Sequence, residues 1–135
     1  IAHVNLNSFL VSFVRDMNTL NSKSNIAVNI DAEDIEVKLD VSIPLGLIIN
    51  EILSNVAKHA FPDDREGNLN IDLKRDGDYA ILVIGDDGIG MPEDVGPGSS
   101  LGMTIIYSLA GQINADLDID KDNGTKYTIK FPIGE

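Results

Sequence analysis

The sequence predicts an α+β fold, a two-layer sandwich with helices on one face of a mixed, mostly antiparallel sheet. Three observations carry that prediction. Apolar residues follow helical and strand periods in the order helix, two strands, helix, two strands, loop, helix, two strands. The chain has 135 residues, 43% of them hydrophobic, which suits one compact core and is too short for two. Turn residues stand where the period changes, at Pro62, Asp76-Gly77 and Asp122-Asn-Gly-Thr125.

Each element follows from its own residues. Between Asn5 and Leu20, the apolar side chains Leu6, Phe9, Leu10, Phe13, Val14 and Met17 form one helical face, preceded by a short extended piece. Asn21 to Asn25 is a polar loop. Ile26–Ile30 and Ile35–Leu39 alternate, with Asp31-Ala-Glu-Asp34 between them, and read as two antiparallel strands with one wet face each. Ser42 reads as the cap of the next helix, with Pro44 in its first turn and Pro62 as its stop. Leu69–Leu73 and Tyr79–Ile84 are expected to form a hairpin around Asp76-Gly77, the second strand being central. Met91–Ser100, with two Pro and two Gly, reads as a mobile loop. Leu101, Ile105, Ile106, Leu109 and Ile113 mark a short helix, and Leu117–Asp120 and Lys126–Phe131 two last strands.

Composition excludes several functions. The 22 acidic residues outweigh 10 basic ones, for a formal charge of -12, and no Lys/Arg cluster exists to neutralise a nucleic-acid backbone. Without Cys there are no disulfides or thiolate metal sites, and two His do not make a His-rich zinc site. No signal peptide and no run of about eighteen apolar residues appears. The chain starts at Ile1, so it is expected to be a piece of a longer protein.

The informative stretch is Asn50–His59. Leu45, Ile48, Ile49, Ile52, Leu53, Val56 and Ala60 share a broad apolar side. Glu51, Asn55 and Lys58 fall opposite, a carboxylate, a neutral oxygen ligand and a cation one turn apart. On this helix alone, a plain solvated face explains them as well. Asp86-Asp-Gly88-Ile-Gly90 follows a strand directly. Asp86 there can accept from an exocyclic amino group, and Gly88 and Gly90 let backbone approach a flat ring. Taken alone this marks a turn more readily than a site, and Gly124-Thr125 alone is a still weaker signal, a hairpin turn by default. Gly102, near a helix start, offers N–H groups to an anion, but a lone Gly there also serves packing. No G-x-x-x-x-G-K-[ST] is present, and Glu93 stands where G-x-G-x-x-G needs its third Gly.

In combination, Glu51-x-x-x-Asn55-x-x-Lys58-His59, Asp86-x-Gly88-x-Gly90, Ser100-Leu-Gly102 and Gly124-Thr125 resemble the N box, the glycine boxes and the terminal Gly-Thr of the Bergerat-fold ATPases. These include gyrase, Hsp90, MutL and the histidine kinases. Residues 43–62 look like the catalytic domain of sensor histidine kinases with a shortened second glycine box, and the resemblance covers nearly the whole chain, residues 1–135. Two departures stand out. Asp87 replaces the usual Asn, which puts extra negative charge beside the nucleotide, and Ser99 and Ser100 lie between Gly98 and Gly102.

The resemblance implies an ATP-dependent protein-histidine kinase domain. It would bind Mg-ATP and donate the γ-phosphate to a histidine on a separate helical phosphoacceptor domain, with a response regulator downstream in a two-component phosphorelay. It implies that Asp86 fixes the adenine amino group, that Thr125 supports that carboxylate through a water, and that Asn55 ligates Mg²⁺. Lys58 and His59 would bear on the phosphates, and Met91–Ser100 would be the lid. Gly88, Gly90 and Gly102 would shape the ATP site, and Glu51 would orient water or help activate the acceptor. It also implies a cytoplasmic location, for a parent either soluble or membrane-anchored. Two other classes stay open: an anti-sigma protein-serine kinase, which shares the Glu-x-x-x-Asn box, and a nucleotide-binding module without turnover.

Overall fold

The structure, a computed structural model, describes residues 3–17, 25–91 and 98–133. It opens with a short strand β1 (His3–Asn5) and helix α1 (Leu6–Asp16), capped by the Asn5 side chain, which accepts from Ser8 N at 3.1 Å. Strands β2 (Ile26–Ala32) and β3 (Glu36–Lys38) lead to the long helix α2 (Leu39–Asn55). A π-helical turn at Val56–Ala60 and a 3-10 turn at Pro62–Asp64 follow it. Then come β4 (Gly67–Asp76), β5 (Tyr79–Asp86), α3 (Leu101–Gln112), β6 (Asp116–Asp120) and β7 (Thr125–Pro132).

The main sheet has five strands in the order β2-β4-β5-β7-β6. Among the described strands only β2 and β4 run parallel, so the mixed, mostly antiparallel sandwich stands. The β4–β5 hairpin closes through a two-residue turn with Gly77 at φ +61°. Along β4, β5 and β7, Leu69, Ile71, Leu73, Ala80, Leu82, Ile84, Tyr127, Ile129 and Phe131 point to one side and are buried. The apolar stripe of α2 lies on that side, with Leu45, Ile48, Ile49, Ile52 and Leu53 at 1% exposure or less. Each such side chain contributes roughly 1.5–3 kcal/mol relative to exposure. Leu39–Ala60 is long and apolar enough to cross a membrane, yet here that stripe covers the sheet.

Three expectations are corrected. Residues 26–30 and 35–39 do not form an antiparallel pair. β2 pairs in parallel with β4, Ile26 opposite Gly67 through Ala32 opposite Leu73, while β3 pairs with β1. Alternation says which face of a strand is apolar, not which strand lies beside it. Ile35 and Val37 join the same core as Leu6 and Leu10, and Leu6 N bonds the Ile35 carbonyl at 2.8 Å. The second correction is the start of α2. It begins at Leu39, with Lys38 at the cap and no side-chain cap bond. Ser42 is buried inside the helix, its hydroxyl on the Leu39 carbonyl at 3.4 Å, so it is no cap, and Pro44 lies in the second turn. Third, Asp87 does not face the side on which the candidate site lies, as set out below. The part of the first helix beyond Met17, the polar loop up to Ser24, and residues 92–97 of the expected lid lie outside the described residues.

Candidate functional site

At one end of the sandwich, α2 and its π turn meet the ends of β5 and β7 around a cavity of about 630 Å³. That size suits a small-molecule ligand. Its walls bring together Asn55, Lys58, His59, Asp86, Gly90 and Thr125, which the motifs singled out one by one. Ser99 and Ser100 line it as well, from the stretch between the two glycines of the second box.

Local structure explains this convergence. The π turn ends at Ala60, whose carbonyl accepts from Ile89 N at 3.0 Å. A Cβ on Gly88 would run into that same carbonyl, so only glycine lets the Asp-x-Gly loop press against the helix end. Gly124 does the equivalent job on the other side: its φ is +96°, and a Cβ there would strike the Asp86 carbonyl. The loop carrying Asp86 is therefore held between the helix end and the β6–β7 turn. Asp86 itself pairs with Thr125 across β5 and β7.

The polar groups are graded by depth. Asp86 is 9% exposed and is the single carboxylate among the described lining residues. Burial pushes its pKa up; hydrogen bonds from the Gly88 and Thr125 backbone work against that, and the charge of Asp87 adds to it. The Gly88 N–H donates to Asp86 Oδ1 at 2.9 Å. Asn55 is half-buried, while Lys58 and His59 are exposed. A hydrogen-bond acceptor thus lies deep, a neutral amide midway, and cationic character at the rim. Such a gradient suits a ligand with a flat polar base and an anionic tail. Among the described residues no group of three His, Asp or Glu side chains could cage a metal ion.

Three predicted site residues stand aside: Gly88, which packs against the Ala60 carbonyl, and Glu51 and Gly102. Among the described residues, Glu51 and Gly102 are not in the cavity wall, and they meet each other instead. Glu51 Oε1 lies 2.8 Å from where a Cβ on Gly102 would stand. That places the carboxylate at the first turn of α3, where Ser100 Oγ accepts from Met103 N at 3.1 Å.

Asp87 is the correction. It does not line the cavity; it faces away and grips the start of β4. Its Oδ1 accepts from Asn68 N at 2.7 Å and its Oδ2 from Asn68 Nδ2 at 3.1 Å, and these bonds hold its pKa below the ordinary value. Strand alternation explains the outcome, since Asp86 continues the inward row of Leu82 and Ile84 and its neighbour must point out.

The motifs missed the apolar lining. Ile89, Met91 and Met103 line the cavity, and so does Tyr127. Its hydroxyl donates to Met91 Sδ at 3.7 Å. The one signal was a hydroxyl in the otherwise apolar inward row Tyr127, Ile129, Phe131.

Known proteins share this fold and its sequence family. Residues 40–135 match the family model of the histidine kinase-, DNA gyrase B-, and HSP90-like ATPases. The chain is similar to blue-light-activated histidine kinase 2 of Erythrobacter litoralis, 28% identical over 134 residues, covering 96% of this chain and 39% of that protein. It is 30% identical over 104 residues to the sensor histidine kinase PdtaS of Mycobacterium tuberculosis, covering 70% of this chain and 20% of that protein. Among solved structures, the histidine kinase domain of the Erythrobacter litoralis EL346 blue-light activated histidine kinase superposes with TM-score 0.88 at 27% identity, over 96% of this chain and 62% of that one. The mycobacterial sensor histidine kinase MprB shares the fold, with TM-score 0.79 at 24% identity, over 98% and 97% of the two chains. This chain therefore spans well under half the length of the curated relatives it matches.

Proposed function

The chain belongs to the histidine kinase-, DNA gyrase B-, and HSP90-like ATPase family as a histidine kinase-type ATPase domain, and on that premise we propose that its cavity binds Mg-ATP and delivers the γ-phosphate to a histidine on a separate helical domain. The supporting observation is the depth gradient from buried Asp86 through Asn55 to exposed Lys58 and His59. An ionised carboxylate only accepts hydrogen bonds, so Asp86 accepts from the adenine amino group and opposes the carbonyl that guanine presents there. The triphosphate then runs outward past Asn55 to Lys58, whose cation offsets its charge. Thr125 supports Asp86 from the adjacent strand, and Gly90 admits the base edge-on, while Gly88 seats the loop against the helix end.

The donor set fits magnesium that arrives with the nucleotide. One neutral amide oxygen at Asn55 is enough when phosphates and waters supply the remaining ligands, as is usual for this ion. Bound there, magnesium would neutralise phosphate charge during transfer. The chain's formal charge of -12 makes such a counter-ion necessary for tight binding. Lys58 steadies the phosphates, and Glu51, at the first turn of α3, is the candidate to help the acceptor.

The acceptor is not within this chain. His59 is fixed in the π turn beside the phosphate path and cannot move into line behind it. His3 lies in β1, opposite Lys38 of β3, and does not line the cavity. The acceptor histidine is assigned to a helical pair of the parent protein, and a response regulator would take the phosphoryl group afterwards. A cytoplasmic location for this domain goes with that scheme, because ATP and the regulator are there.

The test is titration of ATP with and without Mg²⁺, followed by incubation with labelled ATP and a base quench. The isolated chain is expected to bind Mg-ATP, hydrolyse it slowly and remain unlabelled until a helical pair bearing a histidine is supplied. Acid-labile label on His3 or His59 would contradict the proposal. Acid-stable label on a supplied serine substrate would move the chain to the serine kinases, and ATP binding without turnover under all conditions would leave a nucleotide-binding module.

A further inference from the structure

We propose that Tyr127 is a positioning residue that pins Met91 as an apolar wall against the flat face of the base. The inference rests on the nucleotide reading above and deepens it. It concerns the base alone; neither the phosphates nor magnesium enters it. Tyr127 sits in β7, opposite Ile84 of β5 and Ile119 of β6, so its backbone is fixed on both sides. It is 2% exposed, in an inward row whose other members are Ile129 and Phe131. A hydroxyl that deep needs a partner, and it has one. It donates to Met91 Sδ at 3.7 Å, a length that suits the large sulfur atom. The ring therefore belongs to the core and the hydroxyl to the cavity wall, which Tyr127 and Met91 both line.

Met91 is the residue that needs holding. It follows Gly90, whose φ of +82° turns the chain at the end of the Asp-x-Gly-x-Gly loop. It is half-buried at the edge of the core. Methionine is unbranched and has three rotatable side-chain bonds, so its own geometry does not fix where its sulfur lies. Left untied, it spreads over several rotamers, and a ligand has to order it on binding. Tied at sulfur to a hydroxyl that the sheet holds still, the thioether is in place before the ligand arrives. The division of labour in the cavity follows. Asp86 meets the edge of the base and selects the amino group. Met91, with Ile89 and Met103, offers polarizable apolar surface to its faces. The edge contact decides which base binds, and the pinned wall adds affinity.

The test separates this role from mere packing. Tyr127→Phe keeps the ring and removes the bond to sulfur. The probe is adenosine, which has the base and no phosphate, titrated into the chain with isotope-labelled methionine methyl groups and followed by NMR. The chain has three Met, and Met91→Leu assigns the Met91 signal by its loss. In the wild type that signal is expected away from the position of free methionine, and to shift again as adenosine binds. In Tyr127→Phe it should move toward the free position. Adenosine affinity should fall about two- to fivefold, the value of one weak hydrogen bond, equally in Mg²⁺ and in EDTA. On a Met91→Leu background Tyr127→Phe should cause no further loss. An unmoved Met91 signal or wild-type affinity in Tyr127→Phe, or an equal loss on both backgrounds, overturns the inference and leaves nucleotide binding standing. Binding of ATP without adenosine does the same. No binding of either to the wild-type chain overturns both. Thermal melting checks the fold. If Tyr127→Phe does not melt cooperatively, Met91→Leu carries the test, because it keeps an apolar side chain and gives the hydroxyl no sulfur. It is expected to lose the same two- to fivefold, and full adenosine affinity there overturns the inference.

Discussion

Asp86 and Asp87 are neighbours in the chain, yet they belong to two regions with opposite physics. On the cavity side, Asp86 is buried and its pKa is raised; it keeps Gly88 and Thr125 as backbone donors but lacks the water that a carboxylate prefers. On the outer side, Asp87 is exposed, and Asn68 satisfies it through two bonds, so its pKa is lowered. The outer carboxylate is satisfied by the protein. The inner one has acceptor capacity left facing a cavity. A group that folding makes worse off is explained by a ligand, and one that folding makes better off is explained by the fold. The family resemblance points at both positions, and only the side chain's surroundings distinguish them.

The largest expected effect destroys the comparison outright. Gly124 touches both regions: a Cβ on it would strike the Asp86 carbonyl and stand 3.1 Å from Asp87 Cα, at a φ of +96°. Gly124→Ala combines a strained φ with overpacking, so a loss of about 3 kcal/mol or more is expected. Chemical denaturation measures it, and a variant within error of wild type would mean that the turn is not pressed against the strand end. Next in size is Asp86→Asn. The amide loses charge assistance and can present the wrong group to adenine, so ATP should bind at least about tenfold, or about 1.4 kcal/mol, more weakly. The same variant should be more stable than wild type without nucleotide, since it no longer desolvates a charge. Lower stability with normal ATP affinity would reverse the assignment of the two sides. Asp87→Asn is smaller. It keeps one acceptor for Asn68 N and loses charge assistance, at about 0.5–1.5 kcal/mol of stability, with ATP affinity unchanged. ATP affinity that falls as far as in Asp86→Asn would erase the distinction.

Much of this was legible from residues alone, and the unreadable parts share a cause. The two faces of α2, the hairpin at Asp76-Gly77 and the Asp-x-Gly-x-Gly loop at a strand end all follow from local periods and turn chemistry. Partnership between distant segments did not. Nothing in Ile26–Ile30 says that Gly67–Leu73 lies beside it in parallel, because alternation encodes faces and not neighbours. Ser42 carried a cap signal that the chain ignores, since the helix starts three residues earlier by pairing β3 with β1. Tyr127 was hidden because an inward tyrosine on a strand reads as core, and its hydroxyl acquires meaning only once the fold sets it in the cavity wall. Asp87 is the instructive miss. Its outward direction was available from the alternation of β5, but the motif was read as a string and not as a strand.

The smallest expected effect tests the comparison through pH, where the two acids should oppose each other. Asp87 has a folded pKa below its ordinary value of 3.8. Its contribution to stability is complete above that value and disappears as pH falls through the lower folded value. For Asp86 the folded pKa lies above 3.8, so the folded state holds its proton more tightly. Below 3.8 both states are protonated and it contributes nothing. As pH rises through the raised folded value, the unfavourable burial of its charge is felt in full, and stability declines. Melting temperature against pH should therefore show an acid-side loss that flattens in Asp87→Asn, and a mild loss on the way to neutrality that disappears in Asp86→Asn. The second change has a functional counterpart, because ATP affinity in the wild type should begin to fall at a higher pH than an ordinary Asp would cause. Asp86→Asn should remove that dependence along with most of the binding. Parallel melting curves for wild type and Asp86→Asn across the window above 3.8 would show that the carboxylate is hydrated in the free protein, and the cavity would then lose its claim to a group held ready for a ligand.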